Sequence, residues 1–430
     1  MMEMMSHFSR RSSSINSPRV VSSPRVVAYR NRWISQSVQT IIVICLLVSA
    51  AFVLLMGCGY FFVFPNLSQA IHGYGVLPVN SSIDTCDVFE GSWVRDVEYP
   101  LYNGSECPFA ERGFNCLANG RKDDEYLKWR WKPESCDLPR FNVQEILENL
   151  RGKRIVLVGD SMSRTQWESL ICLLMTGVED KKSVYEVNGN KITKQIRFLG
   201  VRFASFNFTI EFFRSVYLVQ RGWVPKHGPR RVRSTLKLDK LDEISKYWID
   251  SDVLIFNTGQ WWNPGKLFDT GCYFQVGGSL KLGMQINTGF RTALSTWASW
   301  VETMVNTNRT KVFFRTFEPS HWSDQHRRYC NMTQQPVSET QGKDQSPFSD
   351  IISEVVNNMS VPVTILRVTL MGAFRSDAHV GKWSDTPAVV DCSHWCLPGV
   401  PDMWNEIVFS YLFASNKGFS PRTKESMFRK

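Results

Sequence analysis

The stretch "IVLVGDSMSRTQWESLICLL", residues 155–174, joins an apolar run to a helical pattern through the tripeptide Gly-Asp-Ser at residues 159–161. A continuous apolar run of this kind is typical of a strand buried on both faces of a parallel sheet. The turn after such a strand exposes its residues beside the positive N-terminus of the following helix. Ser161 is therefore in a suitable position for a nucleophile, although a serine that only caps the helix would give the same tripeptide.

Helix and strand patterns alternate along the rest of the chain. Helices are predicted at "MSRTQWESLICLLM", "LDKLDEISKYW", "GFRTALSTWASWVETMV" and "PDMWNEIVFSYLF", and strands at "KRIVLVG", "DVLIFNTG", "KVFFRTF" and "VTILRVT". This order predicts an α/β fold with a mostly parallel sheet and helices on both faces. Residues from about 195 to 235 are strand-like, and we predict an inserted antiparallel piece there.

The N-terminal segment predicts a membrane anchor. Residues 1–40 are rich in Ser, Pro and Arg without an apolar period, which predicts a disordered tail, and they supply +5 of the formal net charge of +10. Half of the charge thus lies in the tail, and we predict no nucleic-acid partner. Residues 41–64 contain no charged side chain and can span a bilayer at about 1.5 Å per residue. Because arginines crowd only the N-terminal side of this segment, the positive-inside rule predicts a type II protein with a cytosolic tail.

Two further patterns agree with that orientation. Seven Asn-x-Ser/Thr sequons follow the predicted anchor and none precedes it: Asn66, Asn80, Asn103, Asn207, Asn308, Asn331 and Asn358. Nine of the 11 Cys also follow the anchor, which suits an oxidising compartment where disulfides form. The sequence therefore predicts a glycosylated, disulfide-bonded luminal part.

The luminal part divides by composition into four segments. Residues 65–84 are predicted as a short polar stem. Residues 85–138 form a Cys-rich segment with little periodic structure, which we call the cap. The α/β domain is predicted to span residues 139–413, and residues 414–430 form a C-terminal tail.

A nucleophilic serine needs a base, normally a histidine that a carboxylate orients. The His residues outside the tail and stem are His227, His321, His326, His379 and His394. In "VVDCSHWCLPGVPDMWNEIV", Asp391 precedes His394 by three residues, close enough to bind Nδ1 from the same loop and to leave Nε2 facing the serine. His379 follows Asp377 by two residues and is the second candidate.

The "CSHWC" run at residues 392–396 also contains side chains of the types that bind metals, which leaves a metal site as an alternative. We predict no metal, because an oxidising compartment favours disulfides over thiolates at Cys392 and Cys396. Disulfides at these two positions would clamp both sides of His394.

Several motifs together resemble a known family. The blocks "VGDSMSRTQWESL", "NTGQWW", "FRTFEPSHW", "DAH" and "DCSHWCLPGVPDMWNEI" resemble the plant trichome-birefringence-like family over roughly residues 85–413. The resemblance implies an SGNH-hydrolase-like fold and a Golgi enzyme that O-acetylates cell-wall polysaccharides through Ser161, Asp391 and His394. It implies no bound cofactor. The acetyl donor, acetyl-CoA or another, is then a co-substrate or is supplied by an acetyl-donating membrane protein.

By analogy with SGNH enzymes, the backbone amides of Ser161 and Gly259 and the side chain of Asn257 are expected to stabilise an oxyanion. A turn residue at the end of a strand is an equal alternative for Asn257. Other residues adjoin the motif loops and are candidates for lining the site: Arg164, Trp261, Trp262, Trp395 and His379. Each tryptophan among them would also suit the core.

The resemblance also implies a disulfide pairing that the cysteine count alone leaves open. The implied pairs are Cys86 with Cys136, Cys107 with Cys172, Cys116 with Cys396, and Cys330 with Cys392, which leaves Cys272 over. On this map two bonds tie the cap to the α/β domain, and two bracket the loop of Asp391 and His394.

Three functions stay open at this point. The first is a polysaccharide O-acetyltransferase, with pectin as the favoured acceptor. The second is a polysaccharide acetyl esterase with water as the acceptor, and the third is a non-catalytic protein that binds a wall polysaccharide. The sequence does not separate the first two, because the choice between water and a sugar hydroxyl depends on the shape of the pocket.

Overall fold

The computed structural model of the chain describes residues 44–49, 86–223, 227–323, 328–386 and 388–413. The predicted tail and stem, the C-terminal tail and most of the predicted anchor lie outside these ranges; residues 44–49 of the anchor are helical. No helix within the described ranges is both long and apolar enough to cross a membrane. The sheets and helices that form the site belong to the compact unit of residues 82–430.

The strands, in chain order, are β1 (Gly91–Arg95), β2 (Trp129–Pro133), β3 (Arg154–Gly159), β4 (Val184–Glu186), β5 (Phe198–Phe203), β6 (Phe208–Arg214), β7 (Val219–Gly222), β8 (Ser234–Leu241), β9 (Val253–Phe256), β10 (Cys272–Val276), β11 (Ser279–Lys281), β12 (Lys311–Arg315), β13 (Thr364–Leu366), β14 (His379–Gly381) and β15 (Asp391–Trp395). The α-helices are α1 (Val143–Asn149), α2 (Ser161–Met175), α3 (Ile286–Met304), α4 (Pro347–Asn357), α5 (Thr369–Ala373) and α6 (Val400–Leu412).

A seven-stranded sheet forms the centre of the fold, in the order β13-β12-β9-β3-β6-β5-β4. The strands from β13 to β6 pair in parallel, whereas β5 and β4 complete one edge in antiparallel pairing. Along β3, Ile155 and Leu157 join one buried cluster, and Val156 and Val158 join another. Successive side chains of a strand point to opposite faces, so both faces of the sheet are covered by apolar packing. The predicted α/β fold with a mostly parallel sheet is confirmed.

Helices supply the apolar cover on each face. Leu170 of α2 and Trp404 of α6 belong to the cluster of Ile155, whereas Trp297 of α3 and Ile352 of α4 belong to the other cluster. This is the layered arrangement that alternating strand and helix patterns predict.

The prediction of an inserted antiparallel piece at residues 195–235 is only partly correct. Strand β5 does pair antiparallel with β6, but β6 runs parallel to β3 inside the main sheet, with Arg214 opposite Gly159. Strand β7 belongs to a second sheet of four strands, in the order β11-β10-β8-β7. The residue types of this region favour strands, but pairing between distant strands is not a local property, and the sequence pattern does not show it.

The predicted helix over "LDKLDEISKYW" is wrong for its first half. Residues 238–241 end strand β8, and a short 3₁₀ helix, Glu243–Tyr247, follows. The leucine spacing after residue 238 fits a helix, but Leu236 and Leu238 alternate with polar residues and are both fully buried in the strand. The two-residue period of the preceding segment decides the structure here.

The cap contains more regular structure than its sequence predicts. Strands β1 and β2 pair antiparallel, with Trp93 opposite Trp131. Trp131 is fully buried and donates its indole N–H to the Val88 carbonyl at 2.8 Å. The cysteines are joined in the four implied pairs, Cys86 to Cys136, Cys107 to Cys172, Cys116 to Cys396 and Cys330 to Cys392. Cys272 is buried and free.

The predicted glycosylation sites that the structure describes lie on its surface. The exposed sequon residues are Asn103, Asn207, Asn308, Asn331 and Asn358. Asn66 and Asn80 lie outside the described residues. Attachment of glycans at the seven sites stays a prediction.

A buried network of polar groups joins α6 to α2. Ser169 donates to Asp402 at 2.5 Å, and the Asn405 side chain donates to Ser169 at 2.9 Å and to the Gln166 carbonyl at 3.0 Å. Buried polar groups are costly unless they are paired in this way. The network therefore fixes the helix that begins at Ser161 against the helix that follows the predicted catalytic loop.

Glu406, also on α6, gives the buried interface a pH dependence. Its carboxyl group accepts from the Tyr99 hydroxyl at 2.8 Å, and burial raises the pKa of Glu406 to about 8. The native state thus binds this proton more tightly than the unfolded state. The resulting stabilisation is fully present below the ordinary pKa of 4.5 and is lost as the pH rises through about 8.

We therefore expect Glu406→Gln to gain stability relative to the parent as the pH rises from about 5 to about 8, by at most about 1.4 kcal/mol per pH unit. Glutamine keeps an acceptor for Tyr99 and does not titrate. Denaturant unfolding with the disulfides intact measures the difference, and Glu354→Gln, at an exposed position of α4, is the control. A stability difference that is constant over this pH range would contradict the expectation.

Candidate active site

The nucleophile turn joins β3 to α2. Strand β3 ends at Gly159, Asp160 caps the helix, and Ser161 is the first helical residue. The Asp160 carboxylate accepts from the Met162 backbone N–H at 2.9 Å. Gly159 is required by close packing, because a Cβ there would lie 1.9 Å from Asn257 Oδ1. The Ser161 hydroxyl therefore lies beside the partial positive charge of a helix N-terminus.

The structure brings Ser161, His394 and Asp391 into hydrogen-bonding contact. Ser161 Oγ lies 2.6 Å from His394 Nε2, and His394 Nδ1 lies 2.7 Å from Asp391 Oδ2. Asp391 Oδ1 accepts from the backbone N–H groups of Ser393 and His394, each at 3.0 Å. When Nδ1–H donates to the carboxylate, Nε2 is left to accept the serine proton. This is the arrangement of a nucleophile, a base and an orienting acid.

Electrostatics favour the same roles. Burial lowers the pKa of His394, but the Asp391 carboxylate outweighs burial, and the net shift is upward. Burial raises the pKa of Asp391, but the charge and hydrogen bonds of His394 bring it well below its usual range. The two side chains are 23% and 28% exposed, so the pair remains accessible from the surface. Asp391 thus stays ionised at neutral pH and makes His394 a stronger base.

A short strand pair and two disulfides hold the loop of His394. Strand β15, which carries the loop, pairs antiparallel with β14. Cys392 is bonded to Cys330, and Cys396 is bonded to Cys116, so disulfides flank the histidine on both sides. The two sulfur atoms are not thiolates and cannot bind a metal, which removes the support for a metal site at "CSHWC".

His379 and Trp395 support the loop from behind and do not line the site, contrary to the expectation. The His379 ring is fully buried, with Nδ1 3.0 Å from the His394 backbone oxygen and Nε2 2.7 Å from His321 Nδ1. Trp395 is also fully buried and stacks on His379, with ring centres 4.0 Å apart. A strand presents alternate residues to opposite faces, so Trp395 points away from the face that His394 uses.

A cavity of about 470 Å³ opens at Ser161 and His394. Of the predicted lining residues, Arg164 and Trp261 do line it. Trp262 does not line it, because this side chain is only 1% exposed. Its ring packs in the core, and its indole N–H donates to the Thr258 hydroxyl at 2.9 Å. Other side chains that line the cavity are Glu111, Phe114, Lys194, Arg214, Lys266 and Asp385.

The cap contributes one wall of the site. Phe114 stacks on the His394 imidazole, with ring centres 5.4 Å apart. The Arg164 guanidinium joins the cap to α2, because it lies 2.5 Å from Glu111 and 2.5 Å from Glu168. Glu111 and Phe114 are not predicted from the sequence, since no periodic pattern shows which cap residues face α2. The disulfides that the family resemblance implies between the cap and the α/β domain indicate that the two contact each other, but they do not indicate which cap residues line the site.

Two backbone N–H groups are candidates for binding an oxyanion. Within the described ranges, neither the Ser161 nor the Gly259 N–H donates to another group. Asn257 differs from the expectation: its side-chain N–H donates to Asp160 at 2.9 Å, its oxygen accepts from Ser163 at 2.7 Å, and it is 1% exposed. Its amide is thus used behind the nucleophile turn, where it braces Asp160 and does not line the cavity.

Comparisons with known proteins identify the family of this chain. A family model described as the GDSL/SGNH-like acyl-esterase family found in Pmr5 and Cas1p matches residues 138–411, and a model of the Pmr5 N-terminal domain matches residues 84–137. Trichome birefringence-like 7 of Arabidopsis thaliana is 64% identical over 91% of this chain and 88% of its own length. From the same plant, trichome birefringence-like 6 is 41% identical over 77% of this chain and 71% of its own length. The chain belongs to the trichome-birefringence-like family of GDSL/SGNH-like acyl-esterases, as its motifs predict.

Proposed function

We propose that the protein is an O-acetyltransferase that moves an acetyl group through an acyl-serine intermediate onto hydroxyls of a plant cell-wall polysaccharide. The main support for this proposal is the pair of contacts made by His394. Its Nε2 lies 2.6 Å from Ser161 Oγ, and its Nδ1 lies 2.7 Å from Asp391 Oδ2. Membership of an acyl-esterase family supports the reaction class. The cavity of about 470 Å³ beside Ser161 has room for an acetyl group and part of a sugar chain.

In the first half-reaction, His394 Nε2 takes the proton of Ser161 while Oγ attacks the carbonyl carbon of the acetyl donor. The carbonyl electron pair moves onto oxygen, where the backbone N–H groups of Ser161 and Gly259 donate to it. Acetyl-Ser161 forms when the bond to the leaving group breaks and His394 returns the proton to that group. Asp391 holds the imidazole in the required tautomer and stabilises the imidazolium.

In the second half-reaction, a sugar hydroxyl loses its proton to His394 and attacks the carbonyl carbon of acetyl-Ser161. The acetyl ester of the sugar forms, and Ser161 regains its proton from His394. Water in the place of the sugar hydroxyl would release acetate, which is the esterase reaction by the same groups. Phe114 covers one side of the imidazole, and a bound polymer chain would exclude water from the open side.

We also propose the location and the partners of this reaction. Residues 41–64 anchor the protein in the Golgi membrane as a single-pass type II protein, and the α/β domain lies in the lumen. Disulfides and exposed sequons support an oxidising, glycosylating compartment. Pectin is the favoured acceptor, and the acetyl donor is acetyl-CoA or a donor supplied by a membrane protein.

Partition of the acetyl group tests the proposal. The full chain in detergent is incubated with labelled acetyl-CoA or labelled nitrophenyl acetate, with and without deacetylated wall polymers, and label on the polymer is compared with free acetate. A transferase puts most label on the polymer. Free acetate in amounts independent of the polymer would identify an esterase, and polymer binding without turnover of either donor would identify a binding protein.

The reaction should depend on pH through His394. Only the neutral imidazole takes the serine proton, so the rate should be highest above the pKa of His394 and should fall as the pH drops below it. Burial lowers this pKa, but Asp391 raises it to a net value above the ordinary 6.5, so the acid limb should lie above pH 6.5. Initial rates from about pH 5 to about pH 9 measure the limb, and a flat profile would contradict a neutral histidine base.

A further inference from the structure

Two cations and a tryptophan line the cavity without a part in the acyl-transfer steps. The Arg214 guanidinium carbon lies 5.3 Å from the centre of the Trp261 ring, and the Lys266 ammonium lies 4.9 Å from it. All three side chains line the cavity that opens at Ser161. The shared contact with one indole ring places both cations at the same part of the cavity.

The sheet places Arg214 next to the nucleophile turn. Arg214 ends β6, and in the parallel pairing of β6 with β3 it lies opposite Gly159, two residues before Ser161. Adjacent strands lie about 4.8 Å apart, so the backbone of Arg214 is one strand spacing from the turn. In sheets of this kind, ligands bind beyond the carboxyl ends of the parallel strands.

The Arg214 guanidinium makes no ion pair and no side-chain hydrogen bond in the part of the chain that the structure describes, and the Asp160 carboxylate acts on it through its charge alone. Arg164, in the same cavity, is instead paired with both Glu111 and Glu168. Burial lowers the pKa of Arg214 and the Arg164 charge lowers it further, while the Asp160 charge opposes the shift without reversing it. A half-buried cation in this state is stabilised when an anion with matching acceptor atoms binds beside it.

The balance of charge in the cavity also favours an anionic ligand. Two of its acids are already paired, Glu111 with Arg164 and Asp391 with His394. Among the described lining residues, the charged side chains that make no ion pair are Lys194, Arg214, Lys266 and Asp385. Three of these four are positive.

We propose that Arg214, Lys266 and Trp261 form a subsite that binds an oxyanion of a substrate, a carboxylate or a phosphate, beside Ser161. The inference rests on the proposed acetyl transfer. It adds that the polymer or the acetyl donor carries a negative charge that this subsite binds. The planar guanidinium matches two oxygens of such a group, the lysine adds a mobile positive charge, and the indole ring contacts both cations. The oxyanion belongs to an acidic sugar of the polymer or to the phosphates of the acetyl donor.

Binding to the Ser161→Ala chain tests the subsite without the chemistry. The probes are an oligogalacturonate, its neutral methyl ester and coenzyme A. Arg214→Gln or Lys266→Gln, added to Ser161→Ala, should weaken binding of one acidic probe at least about tenfold, the size of one charge-assisted hydrogen bond. The neutral ester should bind the parent and these variants alike. Arg214→Lys, which keeps the charge without the planar fork, should show an intermediate loss.

Matched controls are available elsewhere on the chain. Arg231 lies over the Tyr273 ring at 5.5 Å and Lys246 over the Tyr247 ring at 5.0 Å, and neither lines the cavity. Arg231→Gln and Lys246→Gln remove the same charge and the same kind of ring contact, and should change affinity by less than about twofold. They therefore separate a subsite from the general effect of net charge.

The pattern of losses identifies the source of the oxyanion. A loss confined to the oligogalacturonate assigns the subsite to the polymer, and a loss confined to coenzyme A assigns it to the donor. Equal affinities of variants and controls for both acidic probes, or no binding of either probe to the Ser161→Ala chain, would overturn the subsite. Neither result would affect Ser161-dependent acetyl transfer, which is measured separately with the intact serine.

Discussion

Replacing Ser161 with alanine is expected to reduce acetyl transfer at least about 10⁴-fold while the fold and polymer binding stay nearly unchanged. Loss of the nucleophile of a serine triad has a cost of this size, because no other group forms the acyl intermediate. The fold should tolerate the change, since the Ser161 hydroxyl makes its hydrogen bond to His394 and fills no part of the core. Transfer rates with labelled donor and polymer measure the effect.

The matched control is Ser299→Ala, at an exposed position on α3 that does not line the cavity. Both variants should unfold at the temperature of the parent, and only Ser161→Ala should lose activity. Full transfer activity in a folded Ser161→Ala chain would eliminate the transferase and the esterase together, because both use the same serine.

Asp391→Asn is expected to lower the transfer rate about 10³- to 10⁴-fold. The asparagine oxygen would keep the hydrogen bonds from the backbone N–H groups of Ser393 and His394, so the loop should hold its shape. The side-chain NH₂ would then face His394 Nδ1 and force the tautomer that carries its proton on Nε2. That tautomer points a hydrogen at Ser161 and does not accept the serine proton.

The control for this change is Asp385→Asn, since Asp385 lines the same cavity and makes no contact with the imidazole. Asp385→Asn should keep most of the rate. The residual rate of Asp391→Asn should also fall at a lower pH than the rate of the parent. The reason is that the carboxylate that raises the pKa of His394 is gone. An unchanged limb and rate would show that His394 needs no carboxylate partner.

The turn that carries Ser161 and the contact of Asp391 with His394 each follow from a short stretch of sequence, and this explains why the sequence predicts them. Ser161 lies at a strand-to-helix turn that its own neighbours define. Asp391 reaches His394 within a single loop, where a three-residue spacing restricts the geometry strongly. Local patterns of this kind are readable without the fold.

The remainder of the site depends on contacts between distant segments. Phe114 stacks on His394 although the two lie in different segments, and no local pattern in the cap indicates this. His379 has a neighbouring Asp much as His394 does, and only the sheet pairing of β14 with β15 decides which imidazole is buried. Asn257 turns its amide to Asp160 for the same reason, because the neighbouring strands β3 and β9 bring the two side chains together.

Helix α4 has a start signal in the sequence but is absent from the predicted elements. Its N-cap is Ser346, whose hydroxyl accepts from the Ser349 backbone N–H, and Pro347 occupies the first turn. A capping serine followed by proline and an amphipathic run is a standard helix start. The predicted element order omits this helix, whose Phe348 packs against Phe290 and Phe317.

A chemical quench that looks for the acyl group on Ser161 tests the proposed acyl-serine mechanism directly. The full chain is mixed with isotopically labelled acetyl donor, quenched in acid at short times, and the peptide that contains Ser161 is analysed by mass spectrometry. An acyl-serine mechanism predicts one acetyl ester on Ser161 that builds up without acceptor and disappears when deacetylated polymer is added, as label enters the polymer. Label that reaches the polymer at the full rate while Ser161 is never acetylated, or an acetyl group that travels through another residue, would contradict it.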